Sequence, residues 1–169
     1  RINILDKIKT QLKILHPKSR KIFINNIAAE LEVENSFRVE NYHKDYSILN
    51  WKEVNEINSS SLFTIGGHSR WHNILSKLTG KELEEEIYGS IKDIKINLGE
   101  FSGHYAYPEG QKEHYNSETK IVLKKFGVRA CPSAIQGLAD KNFQSLFDFK
   151  RIMVGIDKSS EKFLNNFIK

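Results

Sequence analysis

Residues 63–87 read FTIGGHSRWHNILSKLTGKELEEEI, and their reading decides the fold. An apolar stretch runs into Gly66-Gly67, two histidines follow four residues apart, and a helical pattern starts after Thr79. The short run 61–65, SLFTI, reads as a strand. Thr79 and Glu82 have capping-box spacing, and the helix after them places Leu83, Ile87, Ile91, Ile94 and Leu98 on one inward stripe. A strand ending in paired glycines and feeding a helix puts His68 and His72 where an α/β fold builds its sites. On a turn of helix, residues i and i+4 share a face, so both imidazoles could reach one ion. The glycines would let the backbone turn tightly and leave room for a ligand. Two surface histidines is the plainer reading, and two ligands are too few for a stable zinc site. Spacing nominates none of His16, His43, His104 or His114 as a third.

Working outward, strands and helices alternate. GHYAYP (103–108) reads as a strand and SETKIVLKKFG (117–127) as a helix ending at Gly127. VRACPS (128–133) and KRIMVGI (150–156) read as further strands, and DKSSEKFLNNFIK (157–169) as a closing helix. Such alternation predicts a parallel sheet with covering helices, part of a barrel. Upstream the chain is helical. Residues 2–15 carry Ile4, Leu5, Ile8, Leu12 and Leu15 on one stripe, and His16-Pro17 ends that helix. A second helix starts near Ser19 as cap, residues 34–49 are polar and irregular, and LNWKEVNEIN (49–58) is a short third helix.

Composition narrows the function classes. At 169 residues, 39% hydrophobic and 28% charged, the chain reads as one globular domain spanning 1–169, not a disordered one. No apolar run approaches the roughly 20 residues of a bilayer span. The net charge of +5 permits nucleic-acid binding. Yet lysines alternate with glutamates, as in KELEEEIYGSIKDIK (81–95), which reads as solvated helix faces and argues against specific nucleic-acid recognition. Cys131 is the single cysteine, so no intramolecular disulfide forms, and its strand-end setting reads as a small buried hydrophobe.

Several ordered motifs together carry a resemblance. IGGHSRWHNILSKLTGKELEEEI (65–87), GHYAYPEG (103–110) and LKKFGVRACPS (123–133), with LNWKEVNEI (49–57) before and LFDFKRIMV (146–154) after, resemble the polysaccharide deacetylase family. The likeness covers about residues 48–157. It implies an α/β fold of the distorted (β/α) barrel type, here incomplete and with a helical N-terminal third. It implies a metal-dependent hydrolase that removes N-acetyl groups from amino sugars of a polysaccharide or glycoconjugate. It also implies that His68 and His72 bind a divalent ion, zinc or a similar one, with Ser69 supporting a ligand. The backbone N–H of Glu109, between Pro108 and Gly110, would hold the oxyanion. Arg151 would steady an acidic group, and Trp71 and Tyr107 would line a sugar-binding groove. For Trp71 and Tyr107, core packing is the competing reading; for Arg151, a structural ion pair; for Pro108 and Gly110, turn-making alone.

The chain departs from the family pattern in three places. No Asp-Asp pair occurs, though that pair would supply the third ligand and the general base. Glu109 stands where an aromatic residue is usual, and no histidine follows His114. The expectation is that the chain, which opens at Arg1, is the C-terminal part of such a catalytic domain and is inactive alone. The alternative is a degenerate, non-catalytic relative that binds carbohydrate or acts as a structural partner. Metal identity, sugar, oligomeric state and compartment, cytoplasmic or cell-envelope, are not fixed by these residues.

Overall fold

The computed structural model describes residues 2–33, 48–139 and 145–153. The chain divides into two compact units, residues 1–64 and 65–169. The expected helix at 157–169, residues 154–156 of the expected strand at 150–156 and nearly all of the irregular stretch 34–49 lie outside the described residues.

The first unit is helical, as expected for the N-terminal third. It holds α1 (Ile2–Ile14), α2 (Pro17–Glu30) and α3 (Trp51–Asn58). His16-Pro17 both ends α1 and begins α2. Proline takes the first helical position, and the His16 ring nitrogen accepts the Lys18 N–H at 3.3 Å. The cap is therefore His16, not Ser19. Helix α3 starts with a capping box in which Asn50 and Glu53 satisfy each other's backbone N–H groups. Of the expected α1 stripe, Ile8, Leu12 and Leu15 are half-buried, whereas Ile4 and Leu5 are exposed.

The second unit is built around α4 (Gly80–Leu98) and α5 (Ser117–Lys125). One apolar cluster joins Leu83, Ile87 and Ile91 of α4 to Val122 and Leu123 of α5, with Leu75, Leu78, Tyr105, Tyr107, Tyr115, Val128, Cys131 and Phe147. Of the stripe expected on α4, Leu83, Ile87 and Ile91 form this core face, whereas Ile94 is buried outside the cluster and Leu98 is half-buried. Its cap differs from expectation, because Thr79 makes no capping bond with its side chain. The Gly80 N–H instead donates to Glu118 Oε1 at 3.0 Å, a partner 38 residues away. Helix α5 opens on Asn116, which exchanges bonds with Thr119. It closes at Gly127 with φ +85, and Val128 N–H reaches back to the Leu123 carbonyl as in a Schellman end.

The extended segments pair in the parallel sense expected of strand–helix–strand units, but as single bridges among the described residues. Gly67 pairs with Tyr105, His104 with Ala130 and Gln136 with Arg151. The first pairing falls at Gly67, past the 61–65 run read as a strand. The reason is proximity: a Cβ on Gly66 would lie 2.9 Å from the His104 carbonyl oxygen, and one on Gly67 would lie 2.4 Å from the Tyr105 ring. Neither glycine has a positive φ. They make room for the neighbouring segment rather than for a turn. Among the described residues, no helix is long and apolar enough to cross a membrane.

Candidate active site

His68 and His72 are both exposed, and their rings meet edge to face with centroids 4.8 Å apart. They do not ride a turn of helix. Residues 68–73 form a loop in which Ser69 (φ +64) and His72 (φ +55) take left-handed backbone angles. Such angles cost a non-glycine residue about 1–2 kcal/mol, so other contacts must hold them. Three do.

The first is at His68, whose Nδ1 lies 2.9 Å from the Ala106 carbonyl. A carbonyl only accepts, so Nδ1 carries the proton, and in the neutral ring Nε2 is left with the lone pair. The second is Tyr105, buried in the core, whose hydroxyl oxygen accepts the Ser69 N–H at 2.7 Å. The Ser69 side chain, expected to support a ligand, makes no such bond here. Its Oγ is buried without a hydrogen-bond partner among the described residues. The third is Glu86 of α4, which is 2% exposed. Its Oε1 accepts the N–H groups of Trp71 (2.9 Å) and Asn73 (3.2 Å), and its Oε2 accepts the Asn73 side-chain amide at 3.1 Å.

Trp71 is 60% exposed, and the Arg70 guanidinium lies 4.9 Å from its ring centroid. Arg70 is itself paired with Asp93 at 3.1 Å. Tyr107 is sealed instead. At 1% exposure its ring stacks on Tyr115 at 3.9 Å and its hydroxyl donates to the Phe147 carbonyl, so it packs the core and offers no face to a sugar. Burial pushes the Tyr107 phenol far above its ordinary value, and the Cys131 thiol beside it up to about 12.

Pro108, Glu109 and Gly110 form a tight γ-turn. Gly110 N–H donates to the Pro108 carbonyl at 2.7 Å, with Glu109 at φ +61 as the central residue. Gly110 is required twice over. Its own φ is +69, and a Cβ there would lie 2.9 Å from Ala134. Ala134 N–H donates to the Gly110 carbonyl at 2.7 Å, which fastens the turn to the 133–137 segment. Arg151 is bound to that same segment through Nε–H to the Ser133 carbonyl, at 2.6 Å. The structure thus brings the His68 and His72 rings together and ties His68 to Ala106. Arg151 joins the turn side through backbone carbonyls.

The donor set suits a divalent ion in part. His68 offers a fixed Nε2 lone pair and His72 a second imidazole. Among the described residues, however, no group of three or more His, Cys, Asp or Glu side chains could hold a metal. Two residues that hold the histidine loop, Tyr105 and Glu86, were not legible as such. The signal for Glu86 was present: of the three glutamates 84–86, only position 86 falls on the arc of Leu83, Ile87 and Ser90. The 81–95 run is therefore a solvated face on one side only.

No curated protein sequence matches the chain. Among solved structures, the Streptococcus pyogenes deacetylase PplD, determined in complex with acetate, superposes with a TM-score of 0.63 at 20% identity, covering 72% of this chain and 52% of its own. BC0361, a polysaccharide deacetylase from Bacillus cereus, gives 0.61 at 21% identity, covering 83% and 47%. IcaB from Ammonifex degensii gives 0.55 at 21% identity, covering 68% and 52%. At such identities the likeness is one of fold, and this chain spans about half the length of these structures. The pattern of the family described as polysaccharide deacetylase matches residues 25–131, more than half of the sequence. The chain therefore belongs to the polysaccharide deacetylase family.

Proposed function

We propose that this chain contributes to the hydrolytic removal of N-acetyl groups from amino sugars of a polysaccharide or glycoconjugate, with His68 and His72 as its two ligands to a divalent ion, zinc foremost. The observation that carries the reading is the Ala106 carbonyl on His68 Nδ1, which leaves the Nε2 lone pair to a ring whose centroid lies 4.8 Å from that of His72. A ligand histidine is oriented in this way by a partner on its other nitrogen. When bound, such an ion polarises the amide carbonyl and lowers the pKa of a water.

The chain's own residues supply the rest. Glu109 presents its backbone N–H as the oxyanion donor from a turn pinned by Gly110 and Ala134. The exposed Trp71 ring is a surface for the apolar face of a sugar, steadied by Arg70. Arg151 steadies the segment behind the turn and, through it, an acidic group of the completed site.

A zinc site needs a third protein ligand, and the sequence has no Asp-Asp pair to give one together with a base. The 169 residues by themselves are therefore proposed to bind zinc weakly and to release no acetate. The same two-donor set favours a second reading, a non-catalytic relative that binds carbohydrate. Equilibrium dialysis against zinc for the chain and its His68→Ala and His72→Ala variants tests the first proposal. The expected result is one zinc lost on either substitution; variants that bind as much as the parent would sink it. Acetate release from N-acetylated chitooligosaccharides, set beside binding of the same sugars, separates the two readings once the missing ligand is supplied.

A further inference from the structure

We propose that Glu86 is a positioning residue that sets the backbone and ring of His72, and through them the spacing of the histidine pair. The inference rests on the reading of His72 as a ligand for its consequence, but its geometry stands apart from any metal.

A carboxyl group 2% exposed on the core face of a helix is costly unless its oxygens are satisfied. Helix α4 could have carried an apolar residue here, as it does at Leu83 and Ile87 on either side. Instead both Glu86 oxygens turn to one loop, and all three bonds go to the residues that flank His72: Trp71 N–H, Asn73 N–H and the Asn73 amide. Two backbone amides two residues apart converge on one oxygen only if the residue between them bulges away. His72 is that residue, and its φ of +55 is the strained angle that the convergence enforces. The side chain of His72 is thereby directed out of the loop, against His68.

The same helix grips the loop a second time. Asp93, seven residues further on, pairs with Arg70 at 3.1 Å. Between the two carboxylates lies Gly89, where a Cβ would sit 2.7 Å from Arg70 Cδ, so the absence of a side chain lets Arg70 lie across α4. One face of α4 therefore holds residues 70, 71 and 73 while leaving 72 projecting. The bonds fall on the residues that straddle the histidine, as expected of groups that orient a ligand rather than bind the ion.

The test uses the metal-free chain with isotope-labelled histidine. The nuclear Overhauser contact between the His68 and His72 rings is measured in the wild type, Glu86→Ala, Glu86→Gln and the double variant Glu86→Gln/Asn73→Asp. Glutamine keeps an oxygen for the two backbone amides but opposes its own N–H₂ to that of Asn73; the Asn73→Asp change restores an acceptor there. The expected order is a full contact in the wild type, loss in Glu86→Ala, weakening in Glu86→Gln and recovery in the double variant. Recovery separates positioning from a general loss of packing. Should Glu86→Ala fail to fold, as judged by circular dichroism, Glu86→Gln and its rescue decide the matter. A full ring contact in folded Glu86→Ala or in Glu86→Gln, or no recovery in the double variant, overturns the proposal. Zinc alone, titrated against a chromogenic chelator, reads the consequence: an affinity about 10–100-fold lower in Glu86→Ala, the size expected for loss of a group that orients a ligand. A wild-type chain that binds zinc no better than His72→Ala refutes the ligand reading, and the ring contact still decides the positioning.

Discussion

Replacing Gly67 by alanine should cost the second unit about 1–3 kcal/mol of stability, and the cost should come from one aromatic ring. The added methyl would lie 2.4 Å from Tyr105 Cδ2 and 2.6 Å from Cε2. Ordinary carbon–carbon contact is about 3.5 Å, so the ring must withdraw by roughly 1 Å. It cannot do so freely, because Tyr105 is 2% exposed in the core and its hydroxyl accepts the Ser69 N–H at 2.7 Å. Overpacking of this kind costs about 1–3 kcal/mol. Loosening the Ser69 bond adds about 1 kcal/mol. Alanine returns about 0.4–1 kcal/mol by restricting the unfolded chain, since Gly67 has no positive φ to forbid it. The assay is urea unfolding followed by helical circular dichroism, with the midpoint and slope both fitted. The same substitution is then made in a Tyr105→Val background, which removes the clashing ring atoms. There the penalty should disappear, giving a coupling energy of about 1 kcal/mol or more. Equal cost in both backgrounds, or a Gly67→Ala protein as stable as the wild type, refutes the close-approach account.

Three further outcomes follow from other parts of the molecule. Burial raises the Cys131 thiol from 9.0 and the Tyr115 phenol from 10.0, each to about 12, and raises Tyr105 and Tyr107 as well. These groups stay protonated in the fold while the unfolded chain ionises, so stability is full below pH 9 and falls as pH rises from 9 toward 12, by up to about 1.4 kcal/mol per pH unit for each group. Urea midpoints that stay level from pH 8 to 10.5 contradict this, as does rapid reaction of Cys131 with a thiol reagent in the folded protein at pH 8. Asn116→Ala should lose about 1 kcal/mol, because Asn116 Oδ1 accepts both the N–H and the hydroxyl of buried Thr119; Asn116→Asp, which keeps the acceptor, should lose less by the same unfolding assay. At the γ-turn, Glu109→Gly should be neutral or stabilising by up to about 1 kcal/mol, whereas β-branched Glu109→Val should destabilise by about 1 kcal/mol or more. A glycine variant less stable than the valine one would show that the turn does not set residue 109's backbone.

What the sequence made legible was whatever depends on periodicity. Leu83, Ile87 and Ile91 recur at helical spacing and are fully buried, and the Gly127 stop closes α5 where it was expected. What it concealed depends on partners far along the chain. Thr79 has the local pattern of a cap, yet the Gly80 N–H goes to Glu118. The four-residue spacing of His68 and His72 correctly paired the rings but suggested a helical turn. Their contact instead depends on Ala106 and Glu86, 38 and 14 residues away from the histidine each one serves. Gly66 and Gly67 looked like turn-makers because glycine's two uses, left-handed backbone and close approach, read the same in one dimension. Asn116 caps α5 from just outside the run read as helix, and Asn50 caps α3 from inside the run 49–58 that was read as helix.

The grip of α4 on the histidine loop bears on how this site can be moved. Its orienting groups are nearly contiguous: the loop from Gly66, the helix through Leu98, and then only Tyr105 and Ala106 from the next segment. Yet the helix is also the spine of the hydrophobic core, so the loop cannot be transplanted alone. A graft of the two histidines without Glu86, Gly89 and Asp93 would carry the side chains and lose their posture. A graft that includes α4 must import the apolar neighbours that Leu83, Ile87 and Ile91 demand. The portable module is therefore a loop–helix–strand piece of about forty residues, residues 66–106, and redesign of the histidine loop is inseparable from redesign of the core beneath it.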